Sequence, residues 1–542
     1  MDFNNMNRYL FIKKKVFLWS FLIPLYGMDL NDPDIGPIIR EKNPNSVRIA
    51  AFSPINASAK ADYMVVRYRE ISSATDLNVN SDINSDINSE INSITQSQAP
   101  WSLTSLKELK ADKRYSASFH IKKLKSDCPY EYQIASIKSS PALGKDASSS
   151  TVIKTNIYKD DHWKKCTTYT FKTPDAFSDE YTFAFGSCRF FVQLFGHHFC
   201  DLQKSDLVFK TLHKMNEKKT YTIDSLLMLG DQVYTDTIKQ LSWLRYTSFE
   251  NIEKLHRGAK KTRGLRSLSS YVEILEIPDD HEYRDNGAPF QRATDSYAYN
   301  NAIDCINLYE HPHGPHPRPP QTHQAYNAVR DYGMILERSP CSIFLCDSRY
   351  EREEKPKKII NDNQMEALTH WIKSPPQSLS FLTTPISFAL QRYEDTWYGF
   401  NDSSFEVLNA LEESTLKKLF VLTGDSHSSC CSEFELFKRN KKGEKKSLNK
   451  SIVEIMSSSF YQHFHDAPNN FYDSRVVHDN RMNNSDYELQ SVDALNVLRG
   501  KVIQENNFAV VNALSQKGKK SVHVDYHKPN GTKIAHHMFW GD

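Results

Sequence analysis

The sequence predicts an α/β domain preceded by a small all-β sandwich, and two patterns carry that expectation. Between residue 47 and about residue 173 the apolar residues fall in short β-branched or aromatic runs, at 47–52, 63–68, 115–121 and 130–134. A last strand at 167–174 closes the block at Pro174. From residue 180 onward, short apolar runs at 181–186, 225–229, 271–277, 342–346 and 419–423 alternate with longer helix-capable segments, as in α/β folds. Runs at 453–456, 508–514 and 521–526 extend the sheet, and 363–372 is an amphipathic helix. At 542 residues the chain exceeds what one hydrophobic core usually organises, which agrees with two domains.

The expected boundaries are 1–28 for a targeting segment, 45–175 for the all-β sandwich and 180–542 for the α/β domain. Lys13, Lys14 and Lys15 precede an apolar run at 16–27, the layout of a secretory signal. An exported chain follows (periplasmic, secreted or cell-surface), with 16–27 either cleaved or kept as an anchor. Leu25-Tyr26-Gly27 is a poor cleavage site, and the segment holds no twin-arginine pair. Within the sandwich, 72–98 contains the tetrapeptide repeat Ser81-Asp82-Ile83-Asn84, Ser85-Asp86-Ile87-Asn88. One apolar residue in four buries too little surface to offset ordering entropy, so a disordered insert is expected. A second polar insert is expected at 136–150. The charge run at 438–450 is expected to be a solvated hairpin tip.

Composition excludes several classes. Sixty-eight Lys and Arg against 66 Asp and Glu leave a net charge of +2, which gives no global attraction to nucleic acid or an anionic membrane. Membrane contact is expected only through the N-terminal segment. A mean hydropathy of −0.59 excludes a polytopic membrane protein. Neither G-x-G-x-x-G nor a Walker A run occurs, which argues against dinucleotide and P-loop chemistry. The nine cysteines are an odd count. Cys128 and Cys166 both lie beside strand-like segments and are candidates to pair, leaving Cys188 at the end of an apolar strand as the natural unpaired one.

The chemistry lies at the strand ends. Cys188-Arg189 follows the first α/β run, and Gly230-Asp231-Gln232-Val233-Tyr234-Thr235-Asp236 follows the second. The third runs into Asp279-Asp280-His281-Glu282, the fourth into Asp347-Ser348-Arg349 and the fifth into Gly424-Asp425-Ser426-His427. In α/β sheets ligands bind beyond the carboxyl ends of the strands. Five successive strand ends carrying Cys, Asp, Tyr and His therefore converge on one place. Thiolate, phenolate and imidazole beside hard carboxylates suit a transition metal next to a harder cation such as Ca²⁺.

These same residues resemble the PhoD-like metallophosphatases, the alkaline phosphatase D group. Gly186-Ser187-Cys188, Gly230-Asp231-x-x-Tyr234-x-Asp236, Asp279-Asp280-His281-Glu282, Asp347-x-Arg349 and Gly424-Asp425-x-His427 carry the resemblance. It extends from about residue 47 to the C-terminus. It implies a calcineurin-like α/β sandwich metallophosphoesterase domain and a fibronectin-like identity for the sandwich before it. It also implies a binuclear centre of the purple-acid-phosphatase kind, with Fe³⁺ and Ca²⁺. On that resemblance Cys188, Asp231, Tyr234 and His427 form the iron shell, Asp231 bridges, and Asp425 with Asp280 or Asp279 (Asp280 preferred) holds the second metal. A metal-activated hydroxide would hydrolyse phosphate mono- and diesters, with His281 as proton donor to the leaving alkoxide. Arg189 and Arg349 would steady the phosphate oxygens, or else form structural ion pairs. The substrate is a phosphate ester that is small, lipid or polymeric; a phospholipid- or wall-polymer-specific phosphodiesterase is one alternative. Another is a surface interaction protein with a structural metal site. The loop carrying His311, His313 and His316, which departs from the family pattern, is expected to rim the pocket.

Overall fold

The computed structural model describes residues 30–55, 61–71, 99–138, 157–194, 197–198, 200–236, 246–286, 296–311, 334–350, 352–353, 357–375, 378–390, 393–462, 474–478, 485–492 and 502–541. The expected targeting segment, the repeat insert at 72–98, most of the second insert, and His313 and His316 lie outside the described residues. Contacts divide the chain into two compact units: Met1–Asp34, Phe52–Ala117 and Tyr130–Thr170 form one, and Ile35–Ala51, Ser118–Pro129 and Phe171–Asp542 form the other.

The smaller unit is built on an antiparallel sheet. Leu30–Asn31, Pro129–Ile137, Tyr63–Glu70 and Ser102–Leu103 are successive neighbours, with Lys107–Glu108 and Thr168–Lys172 paired at the side. Alternation along the strands turns Val65, Ala135 and Ile137 to one face, where they pack on Leu30, Trp163 and Cys166. The Arg67 guanidinium lies over the rings of Trp101 and Trp163, 4.2 and 4.7 Å from their centroids.

One strand of the larger unit, Ile35–Asn43, was not expected from the sequence. Ile35, Ile38 and Ile39 are buried, and Arg40 is bound to the buried carboxylate of Glu276 at 2.5 Å. The backbone N–H of Lys42 donates to Glu273 at 2.7 Å. Contacts thus place 35–51 with the α/β elements rather than with the smaller unit.

Two mixed sheets form the body of the larger unit. In the first, Glu273–Ile277, Ser225–Leu229 and Glu180–Arg189 run parallel, followed by antiparallel Phe508–Gln516, Lys519–His527 and Lys533–Trp540. In the second, Cys341–Leu345, Leu379–Thr383, Lys418–Thr423 and Lys445–Met456 run parallel at the centre. Phe183, Phe185, Leu227, Leu229 and Ile277 of the first sheet share a core with Ile343, Leu345, Phe381, Phe420 and Ile455 of the second. The other face of the second sheet buries Phe344, Leu382 and Val421 against Leu368, Trp371, Leu408 and Leu411 of two helices, Asp362–Lys373 and Asn401–Glu413. The first of these is the expected amphipathic helix, and the Asn361 side chain caps it by accepting the Gln364 N–H at 2.8 Å.

Two further sequence expectations meet the structure here. The charge run is a hairpin, with Cys430–Asn440 and Lys445–Met456 antiparallel about an exposed tip. Cys128 and Cys166 are both thiols rather than a disulfide. Cys166 is packed in the Trp163 cluster, and Cys128 immediately precedes the Pro129–Ile137 strand with its Sγ against the Pro129 carbonyl at 3.8 Å. Among the described residues no helix is long and apolar enough to cross a membrane.

Candidate metal centre

Parallel register sets the site. Phe183 lies opposite Ser225 and Leu229 opposite Ile277, so three neighbouring strands of the first sheet end side by side. Their ends deliver Cys188, Asp231 and Asp279-Asp280-His281, while the second sheet delivers Arg349 and Asp425-Ser426-His427. Cys188, Asp231, Asp425 and His427 all hold left-handed backbone, with φ of 55°, 59°, 62° and 53°. Such conformations are uncommon for residues with a Cβ and gather at functional sites.

Glycine makes the close approach feasible. Gly230 has φ 86°, and a Cβ there would lie inside van der Waals contact of the Asp279 Cβ and backbone. Gly230→Ala is therefore expected to lower unfolding free energy by about 2–5 kcal/mol, combining a left-handed penalty with overpacking. Denaturant unfolding measures this, and an unchanged midpoint would contradict the tight approach.

Two groups of ligand atoms result, and they share a carboxylate. Atoms of Cys188, Asp231 and His427 lie within 4.8 Å of one another, as do atoms of Asp231, Asp279, Asp280 and Asp425. Asp231, Asp280 and His281 form a third such group. Tyr234 joins the first set: its Oη donates to Asp231 Oδ2 at 3.2 Å and accepts from Gln462 Nε2 at 3.2 Å. The same Gln462 nitrogen lies 3.3 Å from His427 Nε2. In the second set, Asp279 Oδ2 and Asp280 Oδ1 are buried without a hydrogen-bond partner among the described residues.

The electrostatics are those of a site short of positive charge. Burial, then the neighbouring carboxylates, push Asp425 up to about 8. Burial likewise raises Asp231 and Asp279 well above the carboxylate range. The Cys188 thiol and Tyr234 phenol are raised by burial and by Asp231. Burial also opposes ionisation of Asp280, but Arg349 and His281 hold it at about 2. Bound cations reverse this logic, since they favour every deprotonated donor at once. Orphaned buried carboxylate oxygens and a donor set split between thiolate, phenolate and imidazole on one side and carboxylates alone on the other fit a metal pair.

Around the ligand groups sit residues that hold them. His281 stacks on Tyr234, centroids 4.2 Å apart, and its Nδ1 meets both carboxylate oxygens of Asp236 at 2.9 Å. Burial works against the imidazolium, but Asp280, Asp231 and Asp236 outweigh it and raise its pKa well above the usual value. Glu282 accepts the backbone N–H groups of Asp231 at 3.0 Å, Asp279 at 2.9 Å and Gln232, tying two strand ends together. Arg349 donates Nε to Asp279 at 2.6 Å and Nη1 to Asp395 at 2.7 Å. Its Nη2 is buried with no hydrogen-bond partner among the described residues.

Arg189 is a correction. Its guanidinium points away from the ligand groups, donating to the Ser205 and Ala259 carbonyls and to Thr262 Oγ1 at 3.2, 3.1 and 2.8 Å. Cys188 holds left-handed backbone and the pairing shifts register between Ser187 and Arg189, a local bulge that re-aims Arg189 away from the site. It braces helices and does not reach a phosphate at this site. Asp236 and Glu282 lay inside motifs visible in the sequence but had no role assigned there. Asp395 and Gln462 had no sequence signal.

No protein-family model matches the chain, and no curated protein matches it. Among solved structures, PhoD superposes over 95% of this chain and 90% of its own, with a TM-score of 0.55 and 14% sequence identity. The chain has the PhoD fold. A purple acid phosphatase, PPD1 from yellow lupin (Lupinus luteus) seeds, aligns over 94% of this chain and 73% of its own, with a TM-score of 0.49 and 9% identity. In this fold the ligand groups occupy the carboxyl ends of the parallel strands, where α/β sheets place their ligands.

Proposed function

We propose that the chain is a metal-dependent phosphoric ester hydrolase of the alkaline phosphatase and phosphodiesterase type, with iron in the Cys188 subsite and calcium in the carboxylate subsite. The sharing of Asp231 between two ligand groups is the observation that carries this. Two cations held there would neutralise phosphoryl oxygens and acidify a water. Cys188, Tyr234 and His427 supply the softer donors, and Asp280, Asp279 and Asp425 the harder ones. Arg349 offers its spare Nη2–H to a phosphate oxygen while Asp279 and Asp395 fix its plane. His281 Nε2 gives its proton to the leaving alkoxide as the P–O bond breaks. Asp236, which is outside the ligand groups, keeps Nδ1 protonated throughout. The same proposal takes residues 1–28 as an export signal or anchor and 45–175 as a fibronectin-like module.

Elemental analysis of the purified full-length protein tests it. One tightly held iron and at least one exchangeable Ca²⁺ are expected. Cys188→Ser should fold, lose most of the iron and lose most turnover of a chromogenic phosphodiester. Zinc alone at full activity, or a Cys188→Ser protein with full iron and rate, would overturn the assignment.

A further inference from the structure

Two serine hydroxyls flank the Cys188 sulfur. Ser187 Oγ and Ser458 Oγ each lie 3.2 Å from Sγ, and all three residues are fully buried. Each hydroxyl also accepts a backbone N–H: Ser187 from Asp425 at 3.0 Å, and Ser458 from His427 at 3.1 Å. A serine hydroxyl has a single proton to donate. With the N–H groups pointing inward at the oxygens, each hydroxyl's remaining partner among the described residues is the sulfur. Both O–H protons are thereby aimed at Cys188.

The arrangement is built into the backbone. Ser187 pairs with Ser458 in parallel register, which brings both hydroxyls to the sulfur. Gly424 lacks the Cβ that would collide with the Ser187 side chain. A donor pair of this kind withdraws charge from a metal-bound thiolate, and hydrogen bonds to ligand sulfur are an established lever on a centre's electronics. Without them, the sulfur would donate more charge to its cation and blunt its pull on a phosphate oxygen.

We infer that Ser187 and Ser458 are positioning residues that hold two hydrogen bonds on the metal-bound Cys188 sulfur and so keep the cation of that subsite electron-poor. This rests on the metal-centre proposal above. The alternative role for both serines is to anchor the Asp425 and His427 loops and nothing more.

The test uses the full chain, stripped of metal and loaded with Co²⁺ alone. The unsubstituted protein should show a thiolate-to-cobalt charge-transfer band in the near ultraviolet. Ser187→Ala and Ser458→Ala should each move that band to longer wavelength, and the double variant should move it further. Bands at the original wavelength with reduced cobalt occupancy mean that the serines only anchor loops, and overturn the inference while leaving the metal centre standing. No thiolate band in the unsubstituted protein overturns the metal-centre proposal, and the inference with it. Should the variants fail to fold, resonance Raman of the unsubstituted cobalt protein decides. A cobalt–sulfur frequency that shifts between H₂O and D₂O supports the two O–H donors, and an unchanged frequency overturns them.

Discussion

Asp231→Asn should lose both metals and almost all turnover while remaining folded. Asparagine tolerates left-handed backbone nearly as well as aspartate, so φ of 59° at this position adds little strain in the variant. The amide is neutral and offers one acceptor oxygen where the carboxylate offers two. It cannot face both ligand groups, which have Asp231 in common. The Tyr234 hydroxyl and the backbone N–H of His281 also lose an anionic acceptor. The expected loss of rate exceeds the ~10²–10⁴ of a missing general acid, because charge neutralisation and water activation go together. Metal per chain and phosphodiester turnover measure it. A variant with two metals and a normal rate would show that Asp231 bridges nothing.

His281→Ala should separate chemistry from metal binding. Metal content should stay at the level of the unsubstituted protein, since the softer donors and the four carboxylates remain. The rate should fall by roughly 10²–10⁴, the range of a lost general acid. The fall should be large for an alkyl ester, whose alkoxide needs a proton, and much smaller for a nitrophenyl ester, whose leaving group does not. Equal losses on both substrates, with metal lost too, would make His281 a ligand instead.

Much of the site was legible because strand-end chemistry follows from topology. Asp231, Asp280, Asp425 and His427 each come two to four residues after a buried apolar run, and parallel register brings such ends together. Arg189 misled because nearness in sequence was taken for nearness in space, whereas the left-handed turn at Cys188 and the register shift beside it send the guanidinium toward the helices. Asp395 and Gln462 were invisible for the opposite reason. Neither sits at the end of one of the five expected strands, and each reaches the site only through tertiary packing, Asp395 by way of Arg349. The Leu379–Thr383 strand was missed as well. Ser380 and Thr383 break its apolar run between proline-containing segments, although it lies at the centre of its sheet. The Ile35–Asn43 strand escaped because it contains a proline and four charged or amide side chains, and because its partners lie over two hundred residues away, Glu276 for the Arg40 guanidinium and Glu273 for the Lys42 backbone N–H.

The ligand groups draw on both sheets, and that has a consequence for biosynthesis. The Cys188 sulfur and the Asp425 carbonyl that meets it at 3.6 Å are separated by 237 positions along the chain. Closing so long a loop is costly before other contacts reward it, so a complete set of donors exists only once the sheets have docked. The first sheet takes three of its strands from residues 508–540, so it is itself completed only after every strand of the second sheet has been made. A cation held between the sheets then stabilises the docked state by mass action, in proportion to the logarithm of its free concentration. A complete ligand set therefore belongs to the last stage of folding, when the ends of both sheets are in place.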